Sequence, residues 1–464
     1  MERLFFPDLM LLLANSRERL YNESMKIAAI IAEYNPFHNG HAEQIRLLKE
    51  TFGYDYVIAI MSPEFVQRGF AALSDRYVRA RAALLGGVDA VFALPVCLAT
   101  AAAPDFALGG VGIADGLGCV DALCFGCETP DETLLTWVAE ILHAEPPHYR
   151  RVLKESLSQG LSFPAARERA LLIMLCETGS FPDPIQAAPG AAAQTADLSA
   201  LLSAPNNILA LEYILALKKL GSDIRPLPIR REGCGYHDLT LPESAPVSAA
   251  AIRKQVEALR SGETAHNALQ ICETLSPFMP AAGAEVIAGA IASGRCPDSG
   301  RYDLLVHYAL LTCAAPALAN IQDMGSSLAA RILNRLDTYQ TAASFAEQLH
   351  GKNLTCSRVC RALLHTMLGL PQTMPDRLLG KGGRPDHLYT QLVGFRKEAA
   401  PLLSLIKKSS RIPIITRPAS GRQLIVGPAL DSFLLDMHAQ AVFDLLCENT
   451  KDRSPWQRSP LSGI

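Results

Sequence analysis

The sequence predicts an α/β fold: a doubly wound parallel sheet in the first half of the chain, followed by a mainly helical C-terminal domain. Three observations lead there. From Lys26 to about Thr129, apolar runs of strand length alternate with stretches of helical periodicity, the pattern of a parallel sheet with helices on both faces. Informative residues follow the runs, Glu33 to His41, Ser62 to Gly69, Pro95, and Gly126 to Glu128, where the carboxyl ends of such strands form a ligand crevice. From residue 264 to 375 the pattern is helical throughout.

Taken in order, the expected strands are Lys26–Ala32, Tyr56–Met61, Ala90–Leu94 and Ala122–Gly126, with helices over Ala42–Thr51, Asp75–Gly86 and Pro104–Leu117. Residues 131–200 read as mainly helical, with a Pro/Ala/Gly-rich loop from Gly179 to Thr195. Pro205 and two asparagines form a helix-start signal before Ile208–Leu220. Ile224–Ile229 is a further strand, and a helix opens near Val247. Around Arg411–Val426 the pattern turns strand-like, at Ile412–Thr416 and Gln423–Val426, before a final helix near Leu430–Glu448. These elements suggest an N-terminal extension (1–24), an α/β catalytic domain (25–264) and a helical domain with a small strand-containing C-terminal part (265–464).

A formal net charge of −3 over 464 residues means that any nucleic-acid surface must be a local patch. The opening M-E-R-L-F-F-P-D-L-M-L-L-L is short, is interrupted by Pro7 and Asp8, and carries mixed charges. It fits neither a signal peptide nor a membrane span. Residues 1–24 are therefore expected to be an extension or the product of a mis-chosen start codon, and the protein to be soluble and cytoplasmic. Twelve cysteines lack a framework spacing. Cys124 and Cys127 form a lone C-x-x-C, expected to be small buried residues of a strand rather than metal ligands. No metal site is expected.

The most informative stretch is I-A-E-Y-N-P-F-H-N-G-H-A-E-Q, Ile31, Ala32, Glu33, Tyr34, Asn35, Pro36, Phe37, His38, Asn39, Gly40, His41, Ala42, Glu43 and Gln44. A buried run ends, and two histidines flank a glycine where a helix would start. Helix N-termini hold anions, and each imidazole can donate to a phosphate oxygen; the histidines could also merely cap the helix. The absence of G-x-x-x-x-G-K-S/T nearby argues against a P-loop. Four weaker signals follow. Arg68, in the loop after the second run, is suited to grip phosphate or carboxylate. Gly126 would let a strand end approach an adenine ring. Asn206 and Arg231 lie just outside regular elements, able to read a base or ribose edge and to hold phosphate. Ser248 and Arg253 sit at a helix start, where they could form a second phosphate-binding end or a plain cap.

In their order, A-E-Y-N-P-F-H-N-G-H, M-S-x-x-F-V-Q-R-G, G-V-D-A-V-x-x-L-P, F-G-x-E, P-N-N-I-L-A-x-E-Y and R-x-x-x-x-Y-H-D resemble the bacterial tRNA(Met) cytidine acetate ligase family, within the H-x-G-H nucleotidyltransferases. The similarity runs from Met25 over essentially the whole chain. It implies a Rossmann-like nucleotidyltransferase domain, which would bind ATP along Ile31 to Gln44 and at Gly126, Asn206 and Arg231, and a tRNA-binding helical domain. The implied reaction joins ATP and acetate as acetyladenylate, then acetylates N4 of the wobble cytidine of elongator tRNA(Met). His38, His41 and Arg68 are the expected catalytic residues, with Mg²⁺ accompanying ATP. The family's usual residues differ at Pro63, Phe70, Ala93, Ala250, Ala251 and Asn353. Two alternatives stand beside this reading: adenylylation of a small phosphorylated metabolite, and a nucleotide- or RNA-binding paralogue with impaired catalysis. For the tRNA, basic residues gather at Arg358 and Arg361 and at Arg377, Lys381, Arg384, Arg396, Lys397, Lys407, Lys408 and Arg411.

Overall fold

The computed structural model describes residues 25–161, 163–178, 198–231, 248–261, 267–351, 354–380, 385–449 and 454–464. The readings placed on 1–24, on the loop 179–195, on Tyr236, His237 and Asp238, and on Asn353, Lys381 and Arg384 lie outside the described residues.

Seven strands form one sheet: β1 (Ile27–Ala32), β2 (Tyr56–Met61), β5 (Ala90–Ala93), β6 (Ala122–Cys127), β7 (Arg225–Arg230), β8 (Thr390–Phe395) and β9 (Ile414–Ile415), while β3 (Phe65–Val66) and β4 (Phe70–Ala71) form a separate hairpin. The order across the sheet is β7-β6-β1-β2-β5-β8-β9. All neighbours are parallel except β5 and β8. The first five strands come from the runs identified in the sequence, so the doubly wound sheet is as expected. The chain winds outward from β1 to β2 and β5, then returns to β6 on the other side of β1. The reversal puts a crevice between the carboxyl ends of β1 and β6, the usual ligand position in such sheets.

β1 is buried on both faces because it is central. Ala29 and Ile31 pack into a core with Leu123, Phe125 and the helices Ala103–Gly116 and Pro205–Leu220. Ala28 and Ile30 face the other core, with Val57, Ala59, Leu48 and residues of helix Arg76–Leu85. β7 tolerates Pro226 and Pro228 because it is an edge strand, where an absent N–H need not break a ladder.

Three differences from the sequence reading have physical causes. The first helix starts at Asn39 rather than Ala42, because His38 caps it. Gln423–Val426 is expected as a strand, but Gln423 and Leu424 end helix Pro418–Leu424, and Ile425 and Val426 link it to the next helix; Pro418 occupies the first turn, where its fixed φ suits a helix, and buried Gly421 packs on the Phe433 ring. The antiparallel β8 was not anticipated. Side chains anchor it: Gln391 accepts from Arg76 Nη1 at 3.0 Å and donates to the Tyr77 hydroxyl at 3.1 Å. Arg76 itself is held in the core by Glu64, with Nε donating to Oε1 at 2.7 Å.

Candidate nucleotide site

His38 is extended and caps helix Asn39–Arg46: its Nδ1 accepts from the Gly40 N–H at 3.1 Å, and the His41 Nδ1 accepts from the His38 N–H at 3.2 Å. Both rings accept at Nδ1, so in the neutral imidazoles the proton sits on Nε2. The rings stack with centroids 3.8 Å apart. The His41 ring meets Tyr34 edge-on at 4.9 Å, and Tyr34 meets Phe37 edge-on at 5.0 Å. Burial pushes the His38 imidazole down to about 4, and the Arg231 guanidinium adds to this. His41 lies well below the usual imidazole range through burial, then His38, then Arg231. Both are thus neutral at pH 7 and present N–H donors rather than cations.

The opposite wall comes from β6, β7 and helix Pro205–Leu220. The Arg231 N–H extends the β6–β7 ladder to the Cys127 carbonyl at 3.0 Å. Its side chain passes over Gly126, where a Cβ would lie 2.8 Å from Cγ and 3.2 Å from Cδ. A side chain at 126 would force the Arg231 side chain to shift from this position. Arg231 Nη1 donates to Asn206 Oδ1 at 3.0 Å, and Asn206 Nδ2 donates to Glu128 at 2.6 Å. The other Glu128 oxygen accepts the Asn207 N–H at 3.1 Å, and Asn207 Oδ1 accepts the N–H groups of Glu128 and Thr129 at 2.9 and 3.1 Å.

The structure therefore brings His38, His41, Gly126, Asn206 and Arg231 together across the reversal between β1 and β6. Arg68 is exposed at the tip of the β3–β4 hairpin. The preceding Gln67 N–H donates to the Glu33 side chain at 3.0 Å. Ser248 caps its helix, accepting from the Ala251 N–H at 3.2 Å. Arg253 donates to the Asn35 carbonyl at 2.7 Å, which ties that helix to the turn after β1. Cys124 and Cys127 are buried in β6, their thiols pushed up to about 12 by burial, and Cys124 Sγ accepts from Gln44 at 3.1 Å.

Sequence reasoning missed Arg79. Its fully buried guanidinium donates to the carbonyls of Ser74 at 2.9 Å, Glu33 at 2.5 Å, Ser62 at 3.0 Å and Pro63. It joins the ends of β1 and β2, and nothing local in Y-V-R-A-R-A-A-L-L marks it. Glu128 and Asn207 stood inside recognised motifs, yet their mutual bonds span 79 positions.

Among known proteins, the tRNA(Met) cytidine acetate ligase of Halothermothrix orenii is 34% identical over 396 residues, covering 84% of this chain and 87% of its own length. That of Clostridium tetani is 32% identical over 441 residues, 94% of this chain and 100% of its own length. The chain belongs to the tRNA(Met) cytidine acetate ligase family. The broader HIGH nucleotidyl transferase family matches residues 25–457. Two crystal structures of Thermotoga maritima TmcAL superpose on it at 28% identity. The apo form gives a TM-score of 0.83 over 95% of this chain and 100% of that one. The form bound with alpha-thio ATP gives 0.80 over 94% and 99%. In this member of the ligase family, the turn after β1 is capped by its own two histidines, and the wall facing it is joined by the Glu128–Asn206–Arg231 hydrogen bonds.

Several basic residues read as tRNA contacts are engaged within the protein. Arg361 grips Asp323 with two nitrogens at 2.8 and 3.1 Å, and Arg358 donates to the Asp323 carbonyl at 3.1 Å. Arg377 pairs with Asp431, and Arg411 with Asp115.

Proposed function

We propose that this chain is an ATP-dependent ligase that forms N4-acetylcytidine at the wobble position of elongator tRNA(Met), with acetate as acyl donor and acetyladenylate as intermediate. The observation that carries this reading is the convergence of His38, His41, Gly126, Asn206 and Arg231 at the sheet reversal of a chain from this family. ATP would lie along Ile31 to Gln44, with its adenosine side near Gly126 and Asn206. An acetate oxygen attacks the α-phosphorus, and pyrophosphate leaves. The cytidine N4 amine then attacks the acetyl carbonyl, AMP leaves, and the amine loses a proton.

Such chemistry requires charge stabilisation and positioning more than a covalent role for the protein. His38 and His41 supply Nε2–H donors to phosphate oxygens from a rigid stack, and the helix start adds backbone N–H groups. Because both imidazoles are neutral, formal positive charge falls to Arg231 and, from the hairpin tip, Arg68. Among the described residues no group of three or more His, Cys, Asp or Glu could hold a metal ion. A Mg²⁺ would be held mainly by ATP phosphates and water.

The reaction would take place in the cytoplasm; among the described residues no helix is long and apolar enough to cross a membrane. The test is incubation with labelled ATP, acetate and total tRNA, followed by nuclease digestion. The expected product is N4-acetylcytidine in elongator tRNA(Met), and its absence despite ATP binding would overturn the reading. AMP release that requires a phosphorylated metabolite and no tRNA would indicate an adenylyltransferase instead.

A further inference from the structure

Two arginines, Arg81 and Arg295, line a cavity outside the nucleotide site, and a third, Arg458, lies over the ring of Tyr77 in its wall. The cavity, of about 380 Å³, opens between helix Arg76–Leu85 and helix Ala281–Ala292 and is lined by Tyr77, Arg81, Glu285 and Arg295, among others. Arg81 is exposed and makes no hydrogen bond or ion pair with a described residue. Arg458 lies over the adjacent Tyr77 ring at 5.0 Å, and its Nη2 is buried without a partner. Arg295 holds the buried Asp75 through Nη2 at 2.7 Å, but its Nε is also buried and unpartnered. Buried N–H donors are costly to leave unmet. Against these three cations stand Asp75, already bonded to Arg295, and Glu285 on the rim.

Both helices that wall the cavity are anchored at the turn after β1. The Leu73 N–H donates to Asn35 at 2.7 Å, just before helix Arg76–Leu85. Asn39 donates to the carbonyls of Phe278 and Pro277 at 3.0 and 3.1 Å, just before helix Ala281–Ala292. Arg81 lies six residues past Asp75, about 9 Å along the helix axis.

We propose that Arg81, Arg295 and Arg458 form an oxyanion site that takes a backbone phosphate of the bound tRNA and holds the RNA beside the nucleotide site. This rests on the tRNA substrate proposed above. Guanidinium forks match phosphate oxygens with two parallel hydrogen bonds. Such a contact positions RNA without reading its sequence. With Arg358 and Arg361 engaged by Asp323, this cavity offers donors that the protein itself leaves unmet.

The experiment compares unsubstituted protein with R81A, R458A, R458K and the R81A/R458A double variant. Unmodified tRNA(Met) binding is measured across a salt series, and acetate-dependent ATP–pyrophosphate exchange is measured without tRNA. Each alanine variant should weaken tRNA binding several-fold and flatten the log–log salt dependence by about one. R458K should recover part of the affinity, while exchange and thermal melting should remain unchanged. Unchanged tRNA affinity and salt slope in the double variant overturns the proposal. So does thermal stabilisation by inorganic phosphate that is lost in the double variant while tRNA binding persists, since the occupant is then a free anion. If the unsubstituted protein binds no tRNA, the substrate reading fails and this one with it.

Discussion

The carboxylate of Glu128 accepts from Asn206 Nδ2 at 2.6 Å, and this bond decides which end of the Asn206 amide meets Arg231. A carboxylate only accepts, so Asn206 must turn its NH₂ to Glu128 and its oxygen to Arg231. Glu128→Gln tests this. The two oxygens of Glu128 receive two donors, Asn206 Nδ2 and the Asn207 N–H. A glutamine has one oxygen and must point its own NH₂ at one of them. The backbone N–H cannot turn, so Asn206 flips and presents donors to Arg231. ATP affinity should fall about tenfold, equivalent to about 1.4 kcal/mol, with little change in melting temperature. In an Arg231→Ala background the same substitution should have almost no further effect. Additive losses in that double-mutant cycle would refute the positioning role.

The contrast between Glu128 and His38 shows what was legible in the sequence. The turn after β1 is local: strand, caps and helix start lie within fifteen residues, so pattern alone located it. Gly126, Asn206 and Arg231 were each ambiguous alone, and only their order in the chain singled them out. The bonds that assemble them are long-range and have no sequence period. β8 was hidden for a related reason. It is six residues among helices, and its pairing with β5 depends on Gln391 reaching Arg76, 315 positions away. Pro418–Leu424 shows the opposite error, in which a short apolar run outweighed a proline at a helix start.

His38→Asn separates the capping role of His38 from its chemistry. Asparagine is among the best N-cap residues, so the helix should survive, with stability at pH 7.5 changed by no more than about 1 kcal/mol. Acetyladenylate formation should be abolished, because the Nε2–H donor is gone. His41→Ala should also abolish that step while leaving tRNA binding nearly unchanged. Normal acetyladenylate synthesis by either variant would remove the histidines from the phosphate site.

The same substitution makes a prediction about pH. The His38 imidazole titrates at about 4 in the folded chain, against about 6.5 when unfolded. Between those values the unfolded chain binds the extra proton, so this contribution is complete above about pH 6.5 and is lost as pH falls toward 4. The full amount is on the order of 3 kcal/mol. Melting temperatures followed from pH 7.5 to 4.5 should fall less steeply for His38→Asn than for the unsubstituted protein. Parallel curves would show that His38 is not held neutral by the fold.

Gly69 docks the hairpin on the helical part of the molecule. Its φ is +83°, and a Cβ would lie 2.5 Å from the Arg361 nitrogen and from the Cys360 carbonyl carbon, with backbone on both sides. The Gly69 carbonyl accepts from the buried Tyr302 hydroxyl at 2.9 Å. Gly69→Ala combines a left-handed backbone with a clash that no side-chain rotation relieves, and should destabilise by about 2–4 kcal/mol. Because Gln67 is bonded to Glu33, ATP affinity should fall as well. Tyr302→Phe removes only the hydroxyl and should cost about 1 kcal/mol. Equal denaturation midpoints for Gly69→Ala and unsubstituted protein would show that the hairpin lifts away freely.

Arg79→Lys probes the clamp between β1 and β2. Burial lowers the Arg79 guanidinium to about 10, against the opposing pull of Glu64, Asp75 and Glu33, and its bonds to four carbonyls satisfy a cation that no water reaches. A lysine concentrates its donors on one nitrogen and cannot span Ser74, Glu33 and the Ser62–Pro63 pair at once. At least one buried carbonyl loses its partner, and a buried ammonium readily sheds its proton. The expected loss is about 3 kcal/mol or more by chemical denaturation. Function should suffer beyond stability, since Glu33 and Ser62 end the two strands beside the nucleotide crevice. At a temperature where the variant remains fully folded, its ATP affinity should still be reduced. A variant with lower stability but unchanged ATP affinity would confine Arg79 to the core.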